Sequence, residues 1–145
     1  YVLDMIYTKS IREEEGGTYG VGVSMVGQRT PEERVICQVY FDTNPESAPK
    51  LRELAIKGLK ELAENGPETE KFNMAIENLK KNLPESRISN SYWAGNIRSW
   101  YRYGIDMDAE YEAALQTVTP EDVKTVLQAL LAQNNLIEIT SAPKE

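Results

Sequence analysis

The run Ile11-Arg12-Glu13-Glu14-Glu15-Gly16-Gly17-Thr18-Tyr19-Gly20-Val21-Gly22-Val23-Ser24 constrains the fold more than any other part of the chain. A charged helical pattern stops at a glycine pair and an alternating strand pattern starts at once. Glycine accepts the left-handed conformation favoured just past a helix end, so Gly16 and Gly17 predict a helix C-terminus turning directly into a strand. The turn sets Arg12 and Tyr19 on its two sides, seven positions apart. A guanidinium carries several fixed donors, and a phenolic hydroxyl donates or accepts. Such a pair suits a grip on a peptide main chain.

The flanking segments fix the fold class. Residues 1–15 read as an amphipathic helix with Leu3, Ile6, Tyr7 and Ile11 on its buried side. Residues 18–28 alternate, with Tyr19, Val21, Val23 and Met25 on one face and Thr18, Gly20, Gly22 and Ser24 on the other. The polar turn 28–33 leads to a second strand from Arg34 to Asp42, with Val35, Cys37, Val39 and Phe41 on one face. Asn44-Pro45 predicts a cap and first turn for a helix carrying Leu51, Leu54, Ala55, Leu59 and Leu62, closed by Asn65-Gly66. Pro67 opens a further helix with Phe72, Ile76, Leu79 and Leu83, which Pro84 should kink or interrupt.

Residues 88–103 hold Tyr92, Trp93, Trp100, Tyr101 and Tyr103, expected to be helix-packing aromatics. A short helix follows around Ala109 to Leu115. Thr119-Pro120-Glu121-Asp122 starts another, with Val123, Val126, Leu127, Leu130 and Leu131 as its buried face. Leu136 to Thr140 reads as a last strand. Helix, hairpin, consecutive helices and strand imply an α+β fold, a mixed or antiparallel sheet covered on one face by helices.

Composition narrows the function classes. With 145 residues the chain suits one domain with a real core. A formal net charge of -7 disfavours non-specific binding to nucleic acid or to an anionic membrane, so neither is an expected partner. The single cysteine, Cys37, rules out an internal disulfide and sits in an apolar alternating run, as a small core residue does. There are no histidines. That excludes a Ser-His-Asp or Cys-His site and every histidine-ligated zinc site within the chain. No Asp-rich calcium loop, signal peptide or bilayer-length apolar span is present. The opening Tyr1-Val2-Leu3-Asp4-Met5-Ile6 is already in apolar register without a cap or initiator Met, and reads as a cut through a longer protein.

Arg12 with Gly16-Gly17-Thr18-Tyr19-Gly20-Val21 resembles the C-terminal, non-catalytic domain of the pitrilysin/insulinase-type zinc metallopeptidases, the inverzincins. Pro67-Glu68-Thr69-Glu70, Asn90-Ser91-Tyr92-Trp93, Tyr103-Gly104, Thr119-Pro120-Glu121-Asp122-Val123 and Leu136-Ile137-Glu138-Ile139-Thr140 into Pro143 extend the likeness over nearly the whole chain, read as one domain over residues 1–145. The resemblance implies a processing-peptidase-like fold, part of a clamshell of homologous α+β domains around a chamber. Zinc and the general base would lie in the N-terminal half. This fragment would bind no metal and cut nothing by itself. It further implies that Arg12 and Tyr19 reach across to the substrate main chain. The tyrosine would donate to the carbonyl oxygen as charge develops there, and the arginine would hold the register. Clamshell closure would bring both to the zinc.

Peptide substrate and the N-terminal half, or a homologous subunit, are therefore the expected partners. Family members that lack zinc ligands act as partner subunits, so a non-catalytic subunit is the alternative. The first strands of a full family domain are missing here, and an incomplete sheet exposes an edge that invites dimerisation or peptide pairing. The residues also admit plain structural roles. Arg12 could pair with Glu15 at the helix end, Tyr19 could be a half-buried strand residue, and Gly20 and Gly22 could border a substrate channel or admit a packed helix.

Overall fold

The computed structural model describes residues 1–141, so Pro143 lies outside the described residues. Helix α1 (Val2–Tyr7) continues as a π-helical segment (Thr8–Glu14), followed by strands β1 (Val21–Gln28) and β2 (Arg34–Phe41). Helices α2 (Ala48–Asn65), α3 (Thr69–Ser86), α4 (Asn90–Tyr103), α5 (Met107–Thr117) and α6 (Pro120–Ala132) complete an α+β chain. The residues fall into two compact units, Tyr1–Pro67 together with the chain from Val123 onward, and Glu68–Asp122.

In the first unit the strands form an antiparallel hairpin in the register Val21↔Phe41, Val23↔Val39, Met25↔Cys37 and Gly27↔Val35. The apolar alternation of both strands therefore lands on one face. Helix α1 and the π-helical segment pack against β1, and α2 packs on α1. The core gathers Leu3, Tyr7, Ile11, Leu51, Leu62, Ala63 and Leu127. Tyr7 is fully buried and its hydroxyl donates to the Ala55 carbonyl at 2.7 Å. Gln128 Nε2 reaches the Ala63 carbonyl at 2.9 Å. The hairpin loop is closed by Arg34 Nε donating to Gln28 Oε1 at 2.7 Å.

Several boundaries differ from the sequence expectation. The strand begins at Val21, so Tyr19 precedes it. Asn44 caps a turn instead of α2, accepting from the Ser47 N–H at 2.8 Å, and the helix starts at Ala48 with Pro49 in its first turn. The five-residue step from Asn44 to Pro49 lets the side chain close an Asx turn first. Of the expected apolar face of α6 only Leu127 is buried, and Val126 is exposed. Leu136 to Thr140 forms no strand: β1 and β2 pair only with each other among the described residues. Without a ladder partner its apolar residues Leu136, Ile137 and Ile139 stay exposed, and Glu138 pairs with Arg52 at 3.1 Å.

In the second unit α5 packs on α3 and α4, around Phe72, Ala75, Leu83 and Leu115. Helix α3 carries Pro84 within it and ends two residues later, because a proline near a helix C-terminus removes only one late hydrogen bond. Arg87 grips Asp108 with two bonds of 2.8 and 2.9 Å and reaches Glu112 at 2.6 Å. The Asp106 side chain caps α5 on the Ala109 N–H at 3.0 Å. Thr119 and Asp122 cap α6 reciprocally, the Thr119 N–H donating to Asp122 Oδ2 at 2.8 Å and the Asp122 N–H to Thr119 Oγ1 at 3.3 Å. The aromatics expected to pack α4 do not all do so. Trp93, Trp100 and Tyr101 are exposed, since the half-buried positions of α4 are Tyr92, Asn96, Ser99 and Tyr103. Among the described residues no helix is long and apolar enough to cross a membrane.

Candidate functional site

The helix-to-strand turn is pinned at several places. Gly16 takes φ +61°, the left-handed conformation that lets the chain leave the helix. The Thr43 hydroxyl, just past β2, donates to the Gly17 carbonyl at 2.5 Å. Lys50 of α2 pairs with Glu15 in a short contact. Thr18 Oγ1 accepts from the Gly20 N–H at 3.2 Å and donates to the Gly20 carbonyl at 2.8 Å. That hydroxyl closes a tight loop around Tyr19.

Arg12 lies in the π-helical segment Thr8–Glu14 and is exposed. Turns of this type are rare and occur mostly as single interruptions of α-helices, frequently at functional positions. Ser10 back-bonds to the Ile6 carbonyl at 2.9 Å within this stretch, and Ile11 is fully buried beside Arg12. The buried isoleucine anchors the segment while its neighbour points outward. Tyr19 is 99% exposed, outside both the strand and the core.

Neither plain structural role describes these side chains. Glu15, the expected partner of Arg12, is engaged by Lys50. Arg12 and Tyr19 have no hydrogen bond or ion pair among the described residues. At Gly22 the close neighbour is a side chain of the partner strand: a Cβ there would lie 2.3 Å from Tyr40 Cζ, so the glycine seats the Tyr40 ring directly opposite it in the hairpin. Sequence reasoning missed Thr43 and Lys50. Each meets its partner across 26 and 35 residues, a separation that no local pattern reports.

Elsewhere in the unit, burial pushes the Tyr7 hydroxyl well above the ordinary tyrosine range, with Cys37 adding to the effect. Burial also raises the half-buried Cys37 thiol, which makes it a poor nucleophile at neutral pH. No three His, Cys, Asp or Glu side chains converge on a metal-holding position among the described residues. The chain has no histidine, so it offers no histidine-ligated zinc site.

A family profile described as the Peptidase M16 inactive domain matches residues 6–79, a span that contains the whole turn. Among solved structures, the periplasmic protease PqqL of Escherichia coli superposes with a TM-score of 0.68 at 22% identity, over 87% of this chain and 14% of that one. A peptidase M16 inactive domain from Pseudomonas fluorescens superposes with a TM-score of 0.71 at 19% identity, over 88% of this chain and 32% of that one. No curated protein sequence matches the chain. The chain thus spans a minor part of the length of both solved structures, and its fold agrees with theirs over most of its own length. The protein belongs to the peptidase M16 inactive-domain family.

Proposed function

We propose that the chain is the substrate-binding, chamber-forming C-terminal domain of a zinc-dependent M16 peptidase, in which Arg12 and Tyr19 contact the substrate main chain. The observation that carries this reading is the pair itself. Two polar side chains with no partner among the described residues flank a turn that bends at Gly16, is tied at its backbone by Thr43 and is held at the Glu15 side chain by Lys50. Such groups are offered from a fixed turn and need break no internal contact to bind, though each side chain must still be ordered by the substrate.

Each side chain has a distinct part. The Arg12 guanidinium donates to a substrate carbonyl or carboxylate and fixes the register. The Tyr19 hydroxyl donates to the carbonyl oxygen under attack, where negative charge grows in the transition state. Peptide-bond hydrolysis itself belongs to residues outside this chain, in the N-terminal half of the same protein or in a homologous subunit. The chain alone is inactive under this reading.

Replacing Tyr19 with the photoreactive residue p-benzoylphenylalanine in the complete peptidase tests the contact. Irradiation with a peptide substrate should give a covalent adduct mapped to position 19. An intact protein that captures no peptide at that position would refute the reading.

A further inference from the structure

Tyr19 belongs by pattern to the strand it precedes. It alternates with Val21, Val23 and Met25, and Val21 and Val23 are half-buried in a strand that packs against α1 and the π-helical segment. Carried one and two steps beyond Val21↔Phe41, the hairpin register would set Gly20 opposite Asp42 and Tyr19 opposite Thr43. A tyrosine in that pair would share the apolar side of the sheet with Val21. The ladder instead stops at Val21↔Phe41, and Tyr19 is almost wholly exposed.

The Thr18 hydroxyl accounts for this departure. It accepts from the Gly20 N–H at 3.2 Å and donates to the Gly20 carbonyl at 2.8 Å. An extended chain separates residues two apart by about 6.6 Å, so one hydroxyl reaches both backbone groups of Gly20 only where the chain bends between them. The bend falls at Tyr19. The β-branch of threonine restricts χ1 and keeps the hydroxyl in place. Thr43, the residue that a longer ladder would set opposite Tyr19, gives its hydroxyl to the Gly17 carbonyl. The end of β2 therefore ties the chain ahead of the bend instead of pairing with it.

These ties leave a short span between two fixed points. Gly17 is held by Thr43, and Val21 is held by the ladder. Among the described residues, the hydrogen bonds within the span from Thr18 to Gly20 are the two made by the Thr18 hydroxyl. An exposed side chain takes no direction from packing, so the backbone sets where the phenol points. We propose that Thr18 is the positioning residue of Tyr19: its hydroxyl keeps the tyrosine out of β1 and aims the phenol at substrate. This rests on the reading that Tyr19 contacts the carbonyl under attack. A donor to a developing oxyanion has to be in place before the charge grows, and a displacement of about 1 Å can cost about 100-fold in rate. The clamp is then felt in turnover although Thr18 itself touches no substrate.

Thr18→Val keeps the β-branched shape and removes the hydroxyl, whereas Thr18→Ser keeps the hydroxyl. In the complete protein acting on a peptide substrate, Thr18→Val should lower kcat about 10-fold with KM within about twofold. Thr18→Ser should recover most of that loss. Hydrogen exchange followed by mass spectrometry should show the Gly20 amide exchanging faster in Thr18→Val and at the wild-type rate in Thr18→Ser. In a Tyr19→Phe background, Thr18→Val should cost no more than about twofold further, because a residue that acts through the phenol has no hydroxyl left to aim. An unchanged Gly20 exchange rate in Thr18→Val overturns the clamp. Wild-type kinetics in Thr18→Val, or a full additive loss on top of Tyr19→Phe, overturns the positioning role and leaves the substrate contact standing. Wild-type kinetics in Tyr19→Phe contradicts the contact itself, and the proposal falls with it.

Discussion

The Thr43 hydroxyl and the Gly17 carbonyl, 26 residues apart, are joined at 2.5 Å and tie the turn between Arg12 and Tyr19 to the end of β2. The bond is part-buried, so removing the hydroxyl leaves a carbonyl with poor access to water. Thr43→Val keeps the shape of the side chain and loses the donor. Urea denaturation should show a loss of about 1 kcal/mol, and Thr43→Ser should recover most of it.

Tyr7 predicts an alkaline limit to stability. Its folded-state pKa is raised, first by burial and then by Cys37. A raised pKa means that the stabilisation is fully present below the unfolded value of about 10 and declines as pH climbs above it. Denaturation midpoints measured from pH 8 upward should fall beyond about pH 10. Tyr7→Phe should flatten that decline. The variant also gives up the bond to the Ala55 carbonyl, so it should be about 1 kcal/mol less stable at neutral pH.

Much of this architecture is legible in the chain, for identifiable reasons. Gly16, Gly66 and Gly104 end their helices with positive φ as helix punctuation demands. The reciprocal Thr119–Asp122 cap and the hairpin register follow from local spacing in the same way. What escaped is non-local. The π-helical turn under Arg12, the Lys50–Glu15 pair and the Thr43–Gly17 bond all depend on how distant segments meet. Helix α4 misled most, because its tryptophans have core spacing while Asp108 draws Tyr92 to the inner side. Leu136 to Thr140 has strand composition but no ladder to join among the described residues.

Asp108 predicts an acid limit in the second unit. Hydrogen bonds from Arg87, then from Tyr92, hold its carboxyl below the usual range. A depressed pKa contributes stability that is present above the unfolded value of about 3.9 and is lost as pH falls through the folded value. Helical signal from α4 and α5 should weaken as pH drops below about 4. Asp108→Asn should remove that acid-dependent loss while making the segment less stable at pH 7, as hydrogen exchange of α4 and α5 amides would record.

Arg12 and Tyr19 carry the proposed substrate contact, and steady-state kinetics of the complete protein with a peptide substrate test it most directly. Tyr19→Phe should lower kcat by about 10- to 100-fold with KM changed by no more than about twofold, the signature of an interaction made in the transition state. Arg12→Ala should raise KM and lower kcat together, as loss of a grip on substrate does. Wild-type kcat and KM in both variants, with circular dichroism unchanged, would contradict the assignment.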